Sequence, residues 1–337
     1  MEKQAKTFTL INAAALLEQE FEPLRFAVEK ILPHGLFILA GSGKIGKSWL
    51  ALDMCTAVSS GGRLWDFHAE QGEVLYLALE DNQARLQGRL NKIEAEKTDI
   101  KRLHLVTAAF GINSGLIEQT HNHLAAYPDT KLIIIDTLER IRDTEQDKSM
   151  YSCDYRDMNA LRSITDKHKL TLLLIHHTRK MYDPDPLNTL SGSTGLIGSV
   201  DGVFVLEKEK RTSNAAKLTI ANRDTEGFCF RLEFEPDNCK WSFIGNDSDF
   251  ADEEKDENDE PLLSLVDKFL QDEWSGTATA LCDALKRIDP AADVFPRTIT
   301  KRLKGSKGYF KKNGIDIVFV DRDREKRGIK LSRQSEA

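Results

Sequence analysis

A chain of 337 residues with 40% hydrophobic content has room for two domains, or for one large α/β domain with a small appendage, and enough apolar material for a buried core. The net charge of −7 excludes a uniformly basic nucleic-acid coat, so local charge matters more than the sum. The five cysteines, at 55, 153, 229, 239 and 282, are odd in number, scattered and without a Cys-x-x-Cys pair, which points away from a disulfide framework and from a zinc site.

The chain opens on polar residues with no signal-like apolar segment, and no apolar run approaches membrane-spanning length, so the expectation is a soluble, cytoplasmic protein with no membrane partner. Residues 1–30 form a lead segment, with a helix expected at Leu10–Glu18 followed by Phe21–Phe26. It carries no recognisable chemistry and suits covering a sheet edge or docking on a neighbouring subunit.

The apolar run Leu36–Ala40 then leads into Gly41, Ser42, Gly43, Lys44, Ile45, Gly46, Lys47 and Ser48, and Trp49–Val58 continues as a helix. This is the phosphate-loop pattern of glycine, four residues, then Gly-Lys-Ser. Glycines let the backbone fold into a concave nest of N–H groups around phosphate oxygens, with a helix N-terminus aimed at the same charge. Residues 41–49 are therefore the candidate ATP-binding set, with Lys47 reaching the β/γ-phosphates and Ser48 holding Mg²⁺. An ordinary glycine-rich turn is the plainer alternative, and the flanking strand and helix weigh against it. Lys44 adds a second positive charge inside the loop, with water its simplest partner.

Beyond the loop, Glu73–Leu79, Leu103–Val106, Leu132–Ile135 and Leu170–Ile175 read as strands, alternating with helices at Gln83–Glu96, Gly115–Ala126 and Tyr155–His168. Such alternation predicts a mainly parallel sheet flanked by helices. After Ser191–Gly195 four short strands (Gly202–Leu206, Ala216–Ala221, Phe228–Phe234, Trp241–Ile244) predict an antiparallel extension. Residues 31–245 thus form one α/β domain. The acidic run 246–260 reads as a solvated linker. In 261–337, helices at Leu262–Leu270, Ala278–Ile288 and Arg297–Lys304 and a hairpin of Ile315–Val320 with Gly328–Leu331 predict a small α+β winged helix-turn-helix domain.

A nucleotide hydrolase needs a carboxylate on the Mg²⁺ shell, and Asp136, closing Lys131–Ile135, is the candidate. It also needs a carboxylate to polarise the attacking water. Glu80, after Val74–Leu79, would lie at the carboxyl edge of the sheet where α/β ligands bind, with Asp81 as its adjacent competitor. His176 and His177 end the next strand; either one could read the phosphate state, and a buried core histidine is the alternative for each.

The segments Gly41–Ser48, Tyr76–Asp81, Leu132–Asp136, His176–Lys180 and Gly192–Gly195 together resemble RecA-like ATPases of the branch that contains plasmid RepA hexameric helicases and, more distantly, DnaB replicative helicases. The resemblance covers roughly residues 20–245. It implies a RecA-like P-loop core using ATP and Mg²⁺, with Glu80 as catalytic base and His176 or His177 as γ-phosphate sensor. It also implies a homo-oligomeric, hexameric ring whose ATP sites are completed by a neighbour. Arg223 resembles the arginine of the family's Lys-x-Arg finger pair, although Ala221 stands in the lysine position. A surface arginine beside Asp224 and Glu226 is the alternative. By the same resemblance, Arg140–Lys148 and Arg179–Leu190 would face single-stranded DNA in a central channel, the second also readable as a lid.

From Arg297 to Lys330 basic residues outnumber acidic ones, a surplus suited to phosphate contacts with duplex DNA. Arg297, Thr298, Lys301 and Arg302 lie on the expected second helix of the helix-turn-helix, and Arg322, Arg324, Lys326 and Arg327 on the wing; a positive solvated face is the alternative. The leading expectation is an ATP-driven DNA helicase or translocase serving replication of a mobile element. An ATP-switched DNA-binding regulator or helicase-loading adaptor is the second, and an ATPase with a protein-docking tail is the third.

Overall fold

The computed structural model describes residues 10–93, 100–143, 150–179, 183, 185–192, 194–208, 210, 212–250, 261–322 and 326–333. The chain divides into two compact units, Met1–Gly245 and Asn246–Ala337.

The first unit is built on β1 (Gly35–Gly41), α1 (Lys47–Ser60), β2 (Glu73–Ala78), α2 (Gln83–Lys92), β3 (Leu103–Val106), α3 (Leu116–Ala126), β4 (Thr130–Asp136), α4 (Leu138–Ile141), α5 (Met150–His168), β5 (Thr171–His177), α6 (Thr194–Gly198), β6 (Gly202–Glu207), β7 (Ala215–Asn222), β8 (Phe228–Glu235) and β9 (Lys240–Asn246). Nine strands make one sheet in the order β9-β8-β7-β6-β1-β5-β4-β2-β3. The run from β6 to β3 is parallel throughout, and β7 turns the chain antiparallel against β6 and β8. This is the mainly parallel α/β fold with the antiparallel extension that the strand-helix alternation predicts.

The central strands are apolar through their middles because both faces are covered, and alternate residues feed two separate cores. Phe37, Leu39, Tyr76, Leu132, Ile134, Leu173 and Ile175 pack on α1. Leu36, Ile38, Ile133, Ile135, Leu172 and Leu174 pack against α3, α4, α5 and α6 on the other face. Leu50, Met54 and Val58 of α1 are fully buried, each worth roughly 1.5–3 kcal/mol relative to exposure. Helix α1 is buried all round, which explains its lack of a polar stripe.

Several limits differ from the expected ones. The first helix covers only Ala13–Leu17, capped by Asn12, and none of it is buried. The lead segment is not uniform: Phe26–Val28 pairs with Leu32–Pro33, and Ala27, Val28, Ile31 and Leu32 belong to the α1-side core. Helix α5 begins at Met150 rather than Tyr155, and β5 runs through His177. Asn246 closes β9 and Asp247–Phe250 form a 3-10 turn, while 251–260 lie outside the described residues.

The second unit contains α7 (261–269), β10 (Glu273–Thr277), α8 (Ala278–Ile288), α9 (Pro296–Gly305), α10 (Lys307–Lys312), β11 (Ile315–Arg322) and β12 (Lys326–Arg333). Its sheet has the order β10-β12-β11 with antiparallel pairing, around a core that includes Leu262, Val266, Leu270, Leu281, Leu285, Ile299, Leu303, Phe310 and Ile329. Strand β10 and helix α10 were not expected. Among the described residues no helix is long and apolar enough to cross a membrane.

Candidate active site

Strand β1 ends at Gly41, and Gly46, in the left-handed region at φ 110°, caps the N-terminus of α1. Only glycine adopts that conformation readily. Ser42, Gly43 and Lys44 are exposed, so the Lys44 side chain faces water. The Lys47 side chain is turned into the loop, where Nζ donates to the carbonyls of Gly41 (2.7 Å) and Ser42 (2.9 Å). Among the described residues no carboxylate comes within ion-pair distance of it. Burial lowers its pKa to about 8, against the opposing fields of Asp136 and Glu80.

Asp136, at the end of β4, shares the α1 side of the sheet with Leu132 and Ile134 and is 4% exposed. Tyr76 Oη donates to its Oδ2 at 2.9 Å, and the Ser48 hydroxyl also hydrogen-bonds to it. Burial raises its pKa, and those two hydroxyls act against the rise. The pair Ser48 and Asp136 thus offers hard oxygens beside a buried ammonium and a helix N-terminus. That donor set fits a triphosphate carrying a divalent ion.

Glu80 lies in the turn after β2, about half exposed. Thr137 Oγ1 donates to its Oε1 at 3.4 Å, and Arg140 Nε stands 3.8 Å from the same oxygen. Asp81 is in a different situation: its side chain is 5% exposed and ion-paired with Arg85 (3.1 Å) and Arg89 (2.7 Å). Of the two neighbours, Glu80 is the carboxylate left accessible beside Lys47 and Asp136. Arg89 also lies 5.2 Å over the Trp49 ring, tying α2 to the start of α1.

The two histidines point to opposite faces, as adjacent strand residues must. His176 follows Leu172 and Leu174 onto the face away from α1, is 1% exposed, and is hydrogen-bonded through Nε2 to Ser191 O at 2.9 Å. Its Nδ1 lies 3.7 Å from Glu139, and burial lowers its pKa. His177 follows Leu173 and Ile175 onto the α1 face and is in register with Gly41. It stands where the next segment folds back: Thr178 bridges Leu190, and Ser191 N donates to His177 O at 3.1 Å. Lys180, expected in this loop, lies outside the described residues.

Arg223 is not brought to these groups. Asn222 pairs with Gly202, Gly202 with Phe37, and the loop begins four residues further along β1, about 13 Å away at strand spacing. The half-exposed Arg223 side chain agrees with the alternative of a surface arginine, and its partners lie elsewhere than Asp224 and Glu226. One guanidinium nitrogen donates to Gly198 O (2.7 Å), another is 3.9 Å from Asp201, and the side chain is half exposed.

Two contacts of this site had no visible signal in the sequence. Tyr76, which opens the resembling segment Tyr76–Asp81 with no role of its own assigned, reaches Asp136, and Trp241 on β9 donates through its indole N–H to Gly46 O at 3.2 Å. In the second unit Arg302 donates to Asp293 O (3.0 Å) and Lys304 lies 5.2 Å over Phe319, while Arg297 and Thr298 are exposed. The side chains of Lys301, Arg322, Lys326 and Arg327, and all of Arg324, lie outside the described residues.

The family model AAA_25, an AAA domain, matches residues 4–183. No curated protein matches the chain. Among solved structures, one described as an ATPase domain aligns at 15% identity with a TM-score of 0.51, over 63% of this chain and 85% of that one. A DnaB-like replicative helicase, solved for its interactions with primase, aligns at 16% and 0.51 over 62% of this chain and 58% of its own. A KaiC-like protein of the hyperthermophilic archaeon Pyrococcus horikoshii OT3 aligns at 15% and 0.50 over 66% of this chain and all of that one. With the site above, these matches make the chain a member of the AAA_25 family of AAA domains and an ATPase of RecA-like P-loop fold.

Proposed function

We propose that this ATPase is a ring-forming DNA helicase or translocase of the RepA type, and that it serves replication of a mobile element. The observation that carries the proposal is the separation of Arg223 from its own phosphate loop by four residues of strand, about 13 Å. An arginine so placed can complete an ATP site only on a second copy, as a hexameric ring provides. The fold shared with helicase ATPase domains supports the same reading.

In this mechanism the loop N–H groups and Lys47 bind the triphosphate, and Ser48 and Asp136 would hold Mg²⁺, which would supply neutralisation of phosphate charge. Glu80 orients the attacking water and accepts its proton. His177, on the loop side of the sheet, reads the γ-phosphate and passes its loss to the segment 178–190 that it anchors, where single-stranded DNA is held. His176, turned to the other face, braces Ser191. Arg223 stabilises the transition-state charge on the neighbouring subunit. The second unit acts as a winged helix that adds duplex contacts through Arg297 and the basic residues around it.

Ala221 in the first finger position favours a second reading: an ATP-switched DNA-binding regulator or helicase-loading adaptor that hydrolyses slowly and does not separate strands. Mass measurement in solution with and without ATP and single-stranded DNA, beside the ATPase rate, decides between them. A nucleotide-dependent ring whose turnover rises with single-stranded DNA is the expected result. A monomer with ATP, indifferent to single-stranded DNA, would overturn the motor.

A further inference from the structure

Trp241 sits 195 residues from Gly46 in sequence, yet it is 2% exposed and its indole N–H donates to the Gly46 carbonyl at 3.2 Å. The same carbonyl accepts the N–H groups of Trp49 and Leu50, each at 3.1 Å. A peptide unit is planar, so fixing the Gly46 carbonyl also fixes the N–H of Lys47, which points the opposite way, out of the helix N-terminus. The ring also fills the space beside Gly46: a Cβ there would stand 2.9 Å from Trp241 Cζ2.

Trp241 is itself held. Its backbone N–H donates to the Asp53 carboxylate, and its carbonyl accepts from Trp65 Nε1 at 2.5 Å. Gly46 and Asp53 are seven residues apart, two turns along one face of α1, so β9 grips the helix at two points. Lys208, just after β6, places its ammonium 5.2 Å over the indole, where a cation withdraws electron density from the ring and strengthens the N–H as a donor.

We propose that Trp241 is a positioning residue for the phosphate loop, setting its affinity for nucleotide by fixing the peptide between Gly46 and Lys47. The inference rests on the ATPase activity of the chain and is independent of DNA. The test compares wild type, Trp241→Phe and Phe243→Leu. Trp241→Phe keeps an aromatic ring against Gly46 but removes the donor; Phe243→Leu disturbs the same strand through its packing on Phe67 and Phe230 and leaves the hydrogen bonds of Trp241 in place. The Kd for ADP, by calorimetry, and the KM for ATP should rise about three- to tenfold in Trp241→Phe, with kcat within about twofold. Both should stay within about twofold of wild type in Phe243→Leu. Unchanged values in Trp241→Phe would overturn the proposal, and so would equal rises in both variants, which would trace the effect to the strand's stability. Wild type that binds ADP without turning over ATP would count against the ATPase reading alone, because the ADP comparison stands without turnover.

Discussion

The two ends of the parallel sheet treat charge in opposite ways. At the phosphate-loop end, Lys47 is buried on two carbonyls and Asp136 on two hydroxyls, and burial pushes both toward their neutral forms. At the other end, Asp201 is satisfied: Oδ1 takes Arg162 at 2.7 Å, Oδ2 takes the Leu36 N–H at 2.9 Å, and Arg223 stands 3.9 Å away. Its carboxylate is so close to Gly35 that a Cβ there would stand 2.8 Å from Oδ2. The lesson is that charge buried without an opposite partner marks the end prepared for an ionic ligand, whereas completed pairs mark the end that holds the fold together.

The sharpest way to break that contrast is to remove one charge from each end. Lys47→Ala should lower ATP turnover by about 10⁴-fold without lowering the urea midpoint, since among the described residues the lost ammonium has no ionic partner. Asp201→Asn should cost about 2 kcal/mol in the same urea titration and leave the Kd for ADP within about twofold. Matching effects of the two variants on stability and on nucleotide would erase the distinction.

The same contrast is compressed into two adjacent residues. Glu80→Gln should keep nucleotide binding and lose about 10³-fold in turnover, whereas Asp81→Asn should lose no more than about tenfold, through its effect on the Arg85 and Arg89 pairs. Steady-state rates beside ADP binding would separate these, and sustained turnover in Glu80→Gln would remove it as the base.

Asp53 gives the smallest effect and the cleanest pH test. Burial raises its pKa from 3.8 to about 7, with the Trp241 N–H acting against the rise. Between those values the folded chain keeps a proton that the unfolded chain has released, so this group's contribution to stability falls as pH rises through that window. Asp53→Asn keeps an acceptor for Trp241 and removes the titration. It should match wild type near pH 4 and be more stable by about 3 kcal/mol at pH 8, read as the difference in urea midpoints. A constant difference at both pH values would mean that Asp53 does not titrate in the fold.

What the sequence disclosed follows how local each signal is. Gly41–Ser48 and Leu132–Asp136 are contiguous, so loop, strand and helix could be read together. The choice between Glu80 and Asp81 was also within reach, because Arg85 and Arg89 lie four residues apart on the helix that follows, on one face toward Asp81. The choice between His176 and His177 was not: alternation says that they face opposite ways, but which face carries α1 emerges only from the assembled sheet. Arg223 could be matched to a motif, yet its distance from Lys47 depends on the pairing of three strands. Trp241 gave no signal because its target lies at the other end of the unit's sequence. Strand β10 was missed because Glu273–Thr277 is short and interrupted by Gly276.

The chain from Trp65 through Trp241 to Gly46, with Trp49 opening α1, has an optical consequence. Three of the four tryptophans are in or bonded toward the phosphate loop, while Trp274 packs on Phe269 in the second unit. Nucleotide arriving at the loop changes the polarity around those indoles, so its binding is readable as a change in the protein's intrinsic emission, with no dye attached.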